Sequence, residues 1–159
     1  LLANNPNRPV DHYDCEACGF IFWQNSKPTA SAIICKRTGE ILLTQRAIQP
    51  YAGWWDLPGG FLKNGEDPVP AVQRELREEL HMEIEVSDLL YVITDQYGEQ
   101  GDYTLNLFYR ATPLNNPQTT ADDVSAYDWF SPHRLPERIA FRCVREALSW
   151  FVPAIIEKG

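Results

Sequence analysis

The chain is short of several things, and each shortage narrows its function. No apolar run approaches the roughly 18 consecutive residues that cross a membrane as a helix. No basic, then apolar, leader with a small-residue cleavage site opens it either. No membrane span and no secretory signal are therefore expected, and a cytoplasmic setting is the default reading. Basic residues are few, 14 against 22 acidic ones, for a net charge of −8. That balance excludes general binding to nucleic-acid backbones, which needs a basic surface. It leaves room for a small phosphorylated ligand held through metal ions on carboxylates. Histidine is scarce, and His12, His81 and His133 are scattered, so no Ser/His/Asp or Cys/His arrangement presents itself. No internal repeat is evident. Leu1 is not an initiator methionine, so the natural start is expected upstream.

Cysteine is sparse too, and its four positions do not read as a disulfide framework. Cys35 lies in an apolar strand pattern and Cys143 in a helical one, and both read as small core residues. Cys15-Glu16-Ala17-Cys18-Gly19 has the spacing of half a zinc ribbon, whose full ligand set takes two such pairs. The second pair is not in this chain. His12, three residues before Cys15, is a stand-in ligand on spacing alone and reads better as a surface residue.

What is present suits one compact domain: 159 residues, 44% apolar and 23% charged. Residues 1–13 are polar and rich in Pro and Asn, and read as an extended arm. Strands are expected over 29–36 and 40–45, joined at Thr38-Gly39 into a hairpin, then over 55–57, 82–86, 89–96, 103–111 and 126–130. Residues 49–53, 97–102 and 113–123 read as loops, and 141–156 as a closing helix interrupted at Pro153. Val144, Leu148 and Phe151 form its apolar face.

The chemistry concentrates in residues 60–80. Val69, Val72, Leu76 and Leu80 follow the helical period, Asp67 suits the N-cap, Pro68 the first turn and His81 a left-handed exit. On that helix Glu75, Glu78 and Glu79 stand at i, i+3 and i+4, roughly opposite the apolar stripe. Like charges at those spacings destabilise a bare helix by a few tenths of a kcal/mol per pair. A divalent cation is the natural offset, because hard cations take carboxylate oxygens and bridge to phosphates.

Gly60, Glu66, Arg74, Glu75, Leu76, Glu78, Glu79 and Met82 match the pattern G-x5-E-x7-R-E-U-x-E-E-x-G-U, where U is aliphatic, with His81 where the pattern has Gly. By that pattern the chain resembles the Nudix hydrolases. Trp55-Asp56-Leu57-Pro58-Gly59-Gly60 and Trp129-Phe130-Ser131-Pro132 are further echoes. The resemblance implies an α/β/α sandwich with a mixed sheet over residues 28–159, preceded by an arm, 1–27, that is similar to the second half of the ribbon in members resembling NADH pyrophosphatase.

It also implies magnesium or manganese on Glu75, Glu78 and Glu79, completed by the backbone carbonyl of Gly59. Glu75 would orient the metal and the attacking water, Glu66 would add a carboxylate at the helix start, and Arg74 would hold one of these acids. Zinc at Cys15 and Cys18 would need an upstream Cys pair. For a base outside the helix, Glu99, Asp102, Asp122 and Asp123 stay open. Tyr51, Trp54, Tyr97 and Tyr103 are the aromatic candidates for stacking on a base.

The substrate implied is a nucleoside diphosphate linked to another group, such as ADP-ribose, NADH or FAD. The Trp-Pro-Phe-Pro type of element of NADH-selective members is absent, since Asp95-Gln96-Tyr97-Gly98 follows instead. A nucleoside triphosphate pyrophosphatase and a binding-only sensor domain are the alternatives. Members are often dimers, so a homodimer is an open assembly, though no interface is legible in the residues.

Overall fold

Apolar residues on both faces of two strands place those strands in the middle of the molecule. The computed structural model describes residues 2–3, 12–121 and 123–156. The strands are β1 (Leu2–Ala3), β2 (His12–Cys15), β3 (Ile21–Trp23), β4 (Lys27–Ile34), β5 (Ile41–Arg46), β6 (Trp55–Asp56), β7 (Gly59–Phe61), β8 (Ile84–Gln96), β9 (Tyr103–Pro113) and β10 (Val124–Phe130). The helices are α1 (Pro68–Leu80) and α2 (Arg142–Ile156). Strands β1, β2 and β3 form a small sheet in the arm. The remaining strands form two further sheets, β7-β4-β9-β8 and β10-β5-β6. The four-stranded sheet is mixed, with β4 parallel to β9 and antiparallel to β7.

The period of two in β4 sorts its side chains between two cores. Ala30, Ala32 and Ile34, with Leu42 of β5, pack under Val72, Leu76 and Leu80 of α1. Ile33 of β4, Ile41 and Leu43 of β5 and Phe108 of β9 pack with Val144, Leu148 and Phe151 of α2. A helix thus covers each face, which is the α/β/α arrangement with a mixed sheet expected from the sequence. Each fully buried Val or Leu of α1 contributes about 1.5–3 kcal/mol by leaving water.

Helix α1 has the expected limits, and His81 closes it in the left-handed region at φ 48°. The His81 and Met82 amides donate to the Arg77 and Leu76 carbonyls, satisfying the last turn. Asp67 is the extended N-cap residue, but its side chain makes no capping bond. Two further details differ from the expectation. Val69, in the first turn, is 36% exposed, and Ala71 is buried in its place. The acidic stripe is not opposite the apolar one, because Glu79 is only 7% exposed.

The expected hairpin over 29–45 does not form as a pair of bonded strands. Strand β4 bonds to β7 and β9, and β5 bonds to β6 and β10. Between the two runs one isolated bridge, Cys35 to Ile41, remains, together with a Lys36 amide bonded to the Glu40 carbonyl. Each strand is completed by partners distant in sequence, so the two splay beyond that bridge. The break expected near residues 87–88 is a bulge in one long strand, β8, with register shifts between Val86 and Leu89 and between Leu89 and Tyr91. Strand β7 was not legible as a strand. His12 is buried, not at the surface, with its ring 4.8 Å from that of its cross-strand partner Trp23. Helix α2 runs through Pro153, whose missing amide falls in the final turn.

A distant strand caps α2. The Asp95 carboxylate, at the end of β8, accepts from the amides of Cys143 (2.8 Å) and Gln96 (2.9 Å) and pairs with Arg142. It satisfies an otherwise orphan amide at the helix start and places negative charge there. Replacing Asp95 with Ala is expected to lower stability by about 1–2 kcal/mol with an unchanged m-value in urea. An unchanged midpoint would show that the cap contributes nothing.

Candidate active site

Two glycines bring three elements together. Gly59 sits at φ 144°, and a Cβ there would lie 2.2 Å from the Ala30 carbonyl oxygen. At Gly60 a Cβ would lie 2.7 Å from the Glu75 carboxyl. Only residues without side chains let β7 pass this close to both β4 and α1. The Glu75 carboxylate occupies the space that results.

Arg74 organises the acids around it. Its guanidinium grips Glu66 with two bonds, 2.7 and 2.8 Å, and donates to Glu75 (2.8 Å), Glu78 (2.9 Å) and the Phe61 carbonyl (3.2 Å). Bidentate charge-assisted bonds of this kind are the strong ones. Arg74 and the Lys63 amide hold the Glu66 carboxyl down to about 2. Glu78 is likewise lowered, by Arg74 first and with Lys63 helping. Glu75 is raised, because burial outweighs the attraction of Arg74.

The Arg74 cluster lies beside a recess of about 220 Å³ between the splayed sheets. Glu75 and Glu79 line it, with Gly59, Gly60 and Phe61. Glu78, expected beside them, is 43% exposed and turns to Arg74 and Lys63 instead. Glu66 belongs to the Arg74 cluster and does not line the recess. Among the described residues, no three His, Cys, Asp or Glu side chains converge as a finished metal cage. The donor chemistry does fit a hard divalent cation: carboxylate oxygens of Glu75 and Glu79 share one recess wall with the Gly59 backbone, and the bare Cα of Gly60 leaves Glu75 room.

The other walls were not singled out from sequence. Arg46 donates to the Pro50 carbonyl (2.7 Å), to Asp56 (3.2 Å) and to the Tyr97 hydroxyl (2.9 Å), and its guanidinium lies 4.9 Å from the Phe141 ring centre. Asp56 is pushed up to about 6 by burial, in spite of Arg46 and the Leu57 amide. The floor is a buried chain of bonds. Thr29 donates to the Asn106 side-chain oxygen (2.8 Å), and the Asn106 amide donates to the Ile93 carbonyl and the Thr104 hydroxyl. One signal was available: Asp56 is a lone charge in a short apolar strand just before Pro58-Gly59-Gly60.

Of the four aromatic candidates, Tyr97 lines the recess. Tyr51 packs between Trp54 and Phe141, and Tyr103 is exposed at the start of β9. Of the loop acids, Asp123 lines the recess, Asp102 pairs with Lys27, and Glu99 is exposed in the β8–β9 turn. Asp122 lies outside the described residues. In the arm, the Cys15 sulfur accepts from the amides of Ala17 and Cys18 and from the Cys18 thiol, which lowers its pKa. No third metal ligand joins this pair among the described residues.

Residues 25–151 match the family model described as the NUDIX domain. A MutT-like protein of Streptomyces ambofaciens is 30% identical over 112 residues, covering 70% of this chain and 68% of that one. An ADP-ribose pyrophosphatase of Methanocaldococcus jannaschii is 27% identical over 120 residues, 74% of this chain and 70% of that one. Among solved structures, a NUDIX hydrolase from Nitrosomonas europaea superposes with a TM-score of 0.80 at 27% identity, covering 96% of this chain and 85% of that one.

The Arg74 cluster has a pH signature. A carboxyl lowered from 4.5 to about 2 favours the fold fully above 4.5 and loses that contribution as pH falls through about 2. Carboxyl NMR titration is expected to find Glu66 ionising near 2, and Arg74→Ala to return it to the ordinary range. An ordinary Glu66 titration in the unmodified protein would contradict the pairing.

Proposed function

The chain belongs to the NUDIX domain family, and on that premise we propose that it hydrolyses a nucleoside diphosphate linked to another moiety, with a divalent metal, to a nucleoside monophosphate and a phosphorylated partner. The observation that carries this reading is the placement of Glu75 and Glu79 on the wall of a recess that also has aromatic and hydrogen-bonding walls. One end of such a site suits phosphates and the other a ring. The relative named ADP-ribose pyrophosphatase supports a substrate such as ADP-ribose, with NADH and FAD as neighbours in chemistry.

Glu75 and Glu79 with the Gly59 carbonyl would hold magnesium or manganese, which supplies charge neutralisation and a more acidic water, and Glu78 would join them on leaving Arg74 and Lys63. Arg74 bonds to both Glu75 and Glu78 and favours the charged form of each, against the burial of Glu75. Burial makes Glu75 the more basic of the two Arg74 partners on the helix, which suits it to orient the attacking water and take its proton. Asp123, which also lines the recess, is a second candidate for that role.

Residues 28–159 would form the catalytic domain and 1–27 an accessory arm. Zinc on Cys15 and Cys18 would need a further pair of ligands. A second reading is a nucleoside triphosphate pyrophosphatase, supported by a relative named CTP pyrophosphohydrolase, 36% identical over 102 residues.

A panel of ADP-ribose, NADH, FAD, nucleotide sugars and nucleoside triphosphates, with magnesium or manganese, separates these readings by product. A nucleoside monophosphate plus a phosphorylated partner supports the first, and pyrophosphate the second. Glu79→Gln keeps the buried shape and removes the charge, and should lower kcat by about 100-fold or more. Full activity in that variant would remove the acidic helix from the mechanism. A folded, metal-binding protein that turns over nothing would point to a sensor domain.

A further inference from the structure

A tight turn delivers one lysine to the acidic face of α1. The Glu66 amide donates to the Lys63 carbonyl at 3.0 Å, and the Lys63 amide donates to the Glu66 carboxylate at 2.9 Å. Gly65 makes the turn at φ 77°. Glu66 is itself gripped by Arg74. The backbone of Lys63 is therefore pinned, while its ammonium reaches Glu78 at 3.5 Å and stays 64% exposed. Glu78 is its one ion-pair partner among the described residues.

We infer that Lys63 is a positioning residue that competes with the divalent cation for Glu78, and so sets the cation concentration at which the site loads. This rests on the proposed reading of Glu75, Glu78 and Glu79 as metal ligands and adds what opposes their loading.

Glu78 turns one oxygen to each of two cationic side chains. Its Oε2 accepts from Arg74 at 2.9 Å, and its Oε1 faces Lys63. To join a metal it must give up these ties, and the two partners lose unequally. Arg74 keeps both bonds to Glu66, one to Glu75 and one to the Phe61 carbonyl. Lys63 gives up its whole ion pair, and water takes the place of Glu78.

The pinned backbone adds a second cost. Lys63 cannot withdraw far, so its charge stays beside the entering cation. That charge is felt across the cluster, since it also favours the ionised forms of Glu66 and Glu75. Without a metal, Lys63 does part of the neutralising that the metal would do. Loading then exchanges one cation for another, which leaves a smaller net gain. Exposed ion pairs are weak and screened by salt, so the competition is worth a factor of about three to five in affinity, not orders of magnitude.

The test measures metal binding alone, with no nucleotide and no turnover. Manganese is titrated into the protein and followed by its EPR signal, and magnesium is measured by competition against it. Lys63→Met removes the charge at similar length, and should tighten manganese about three- to fivefold at low salt and less at high salt. Lys63→Arg keeps the charge, and should bind manganese no tighter than the unmodified protein. In a Glu78→Gln background the gain from Lys63→Met should shrink, because the contested carboxylate is gone.

Unchanged or weaker manganese binding in Lys63→Met would overturn the inference and leave the metal reading standing. An equal gain with and without Glu78 would also overturn it, as plain repulsion between charges. No manganese binding by the unmodified protein would overturn the metal reading itself, and this inference with it. The single-variant comparison decides even if Glu78→Gln binds too weakly to measure.

Discussion

The structure turns on one guanidinium. Glu66, in the loop before α1, faces Glu75 and Glu78 on the helix, and without a counter-charge they would drive that loop and the helix apart. Arg74 bonds to all three and to the Phe61 carbonyl. The planar fork suits this task where a lysine would not, because it satisfies three carboxylates and a carbonyl from fixed directions. The loop that follows Gly60 is thereby tied to the helix that follows Asp67. With that tie in place, the Glu75 carboxyl rests on the bare Cα of Gly60, and Glu79 reaches the recess from a nearly buried position.

The second constraint is the splay of β4 from β5. A bonded hairpin would have closed the space between them. After the Cys35–Ile41 bridge each strand is satisfied by other partners, and the gap becomes the recess. Its two ends differ chemically. Carboxylates on one wall suit a cation and phosphates, while Arg46, Asp56 and the stacked rings suit a planar group. Acidic residues predominate in the chain, yet an arginine, Arg46, is among the residues that line the recess.

Much of this was legible from residue order. The helical period, Pro68 and His81 placed α1 within its limits, because those signals act within one turn of chain. The family pattern pointed to the acids, since their spacing on one helix is local too. Reading failed wherever a residue's role depends on a partner far along the chain. Val69 has the right period for the core but lies in the first turn, beyond the reach of the sheet. Asp95 caps α2 from 48 positions away, which no window of sequence contains. His12 is hidden by Trp23 across a small hairpin.

By itself, then, the sequence determined α1, α2 and most of the later strands, and the family pattern with its acids, because periodicity, capping and a spaced motif are properties of neighbours. Tertiary structure decided which of those acids share a recess, that Glu78 turns to Arg74 and Lys63, and that Asp56 meets Arg46 beside Tyr97 and Phe141. The reason is physical. A cavity is the space left between strands that choose their partners over long distances, and burial, which sets the charge preference of Asp56 and Glu75, exists only once those partners have met.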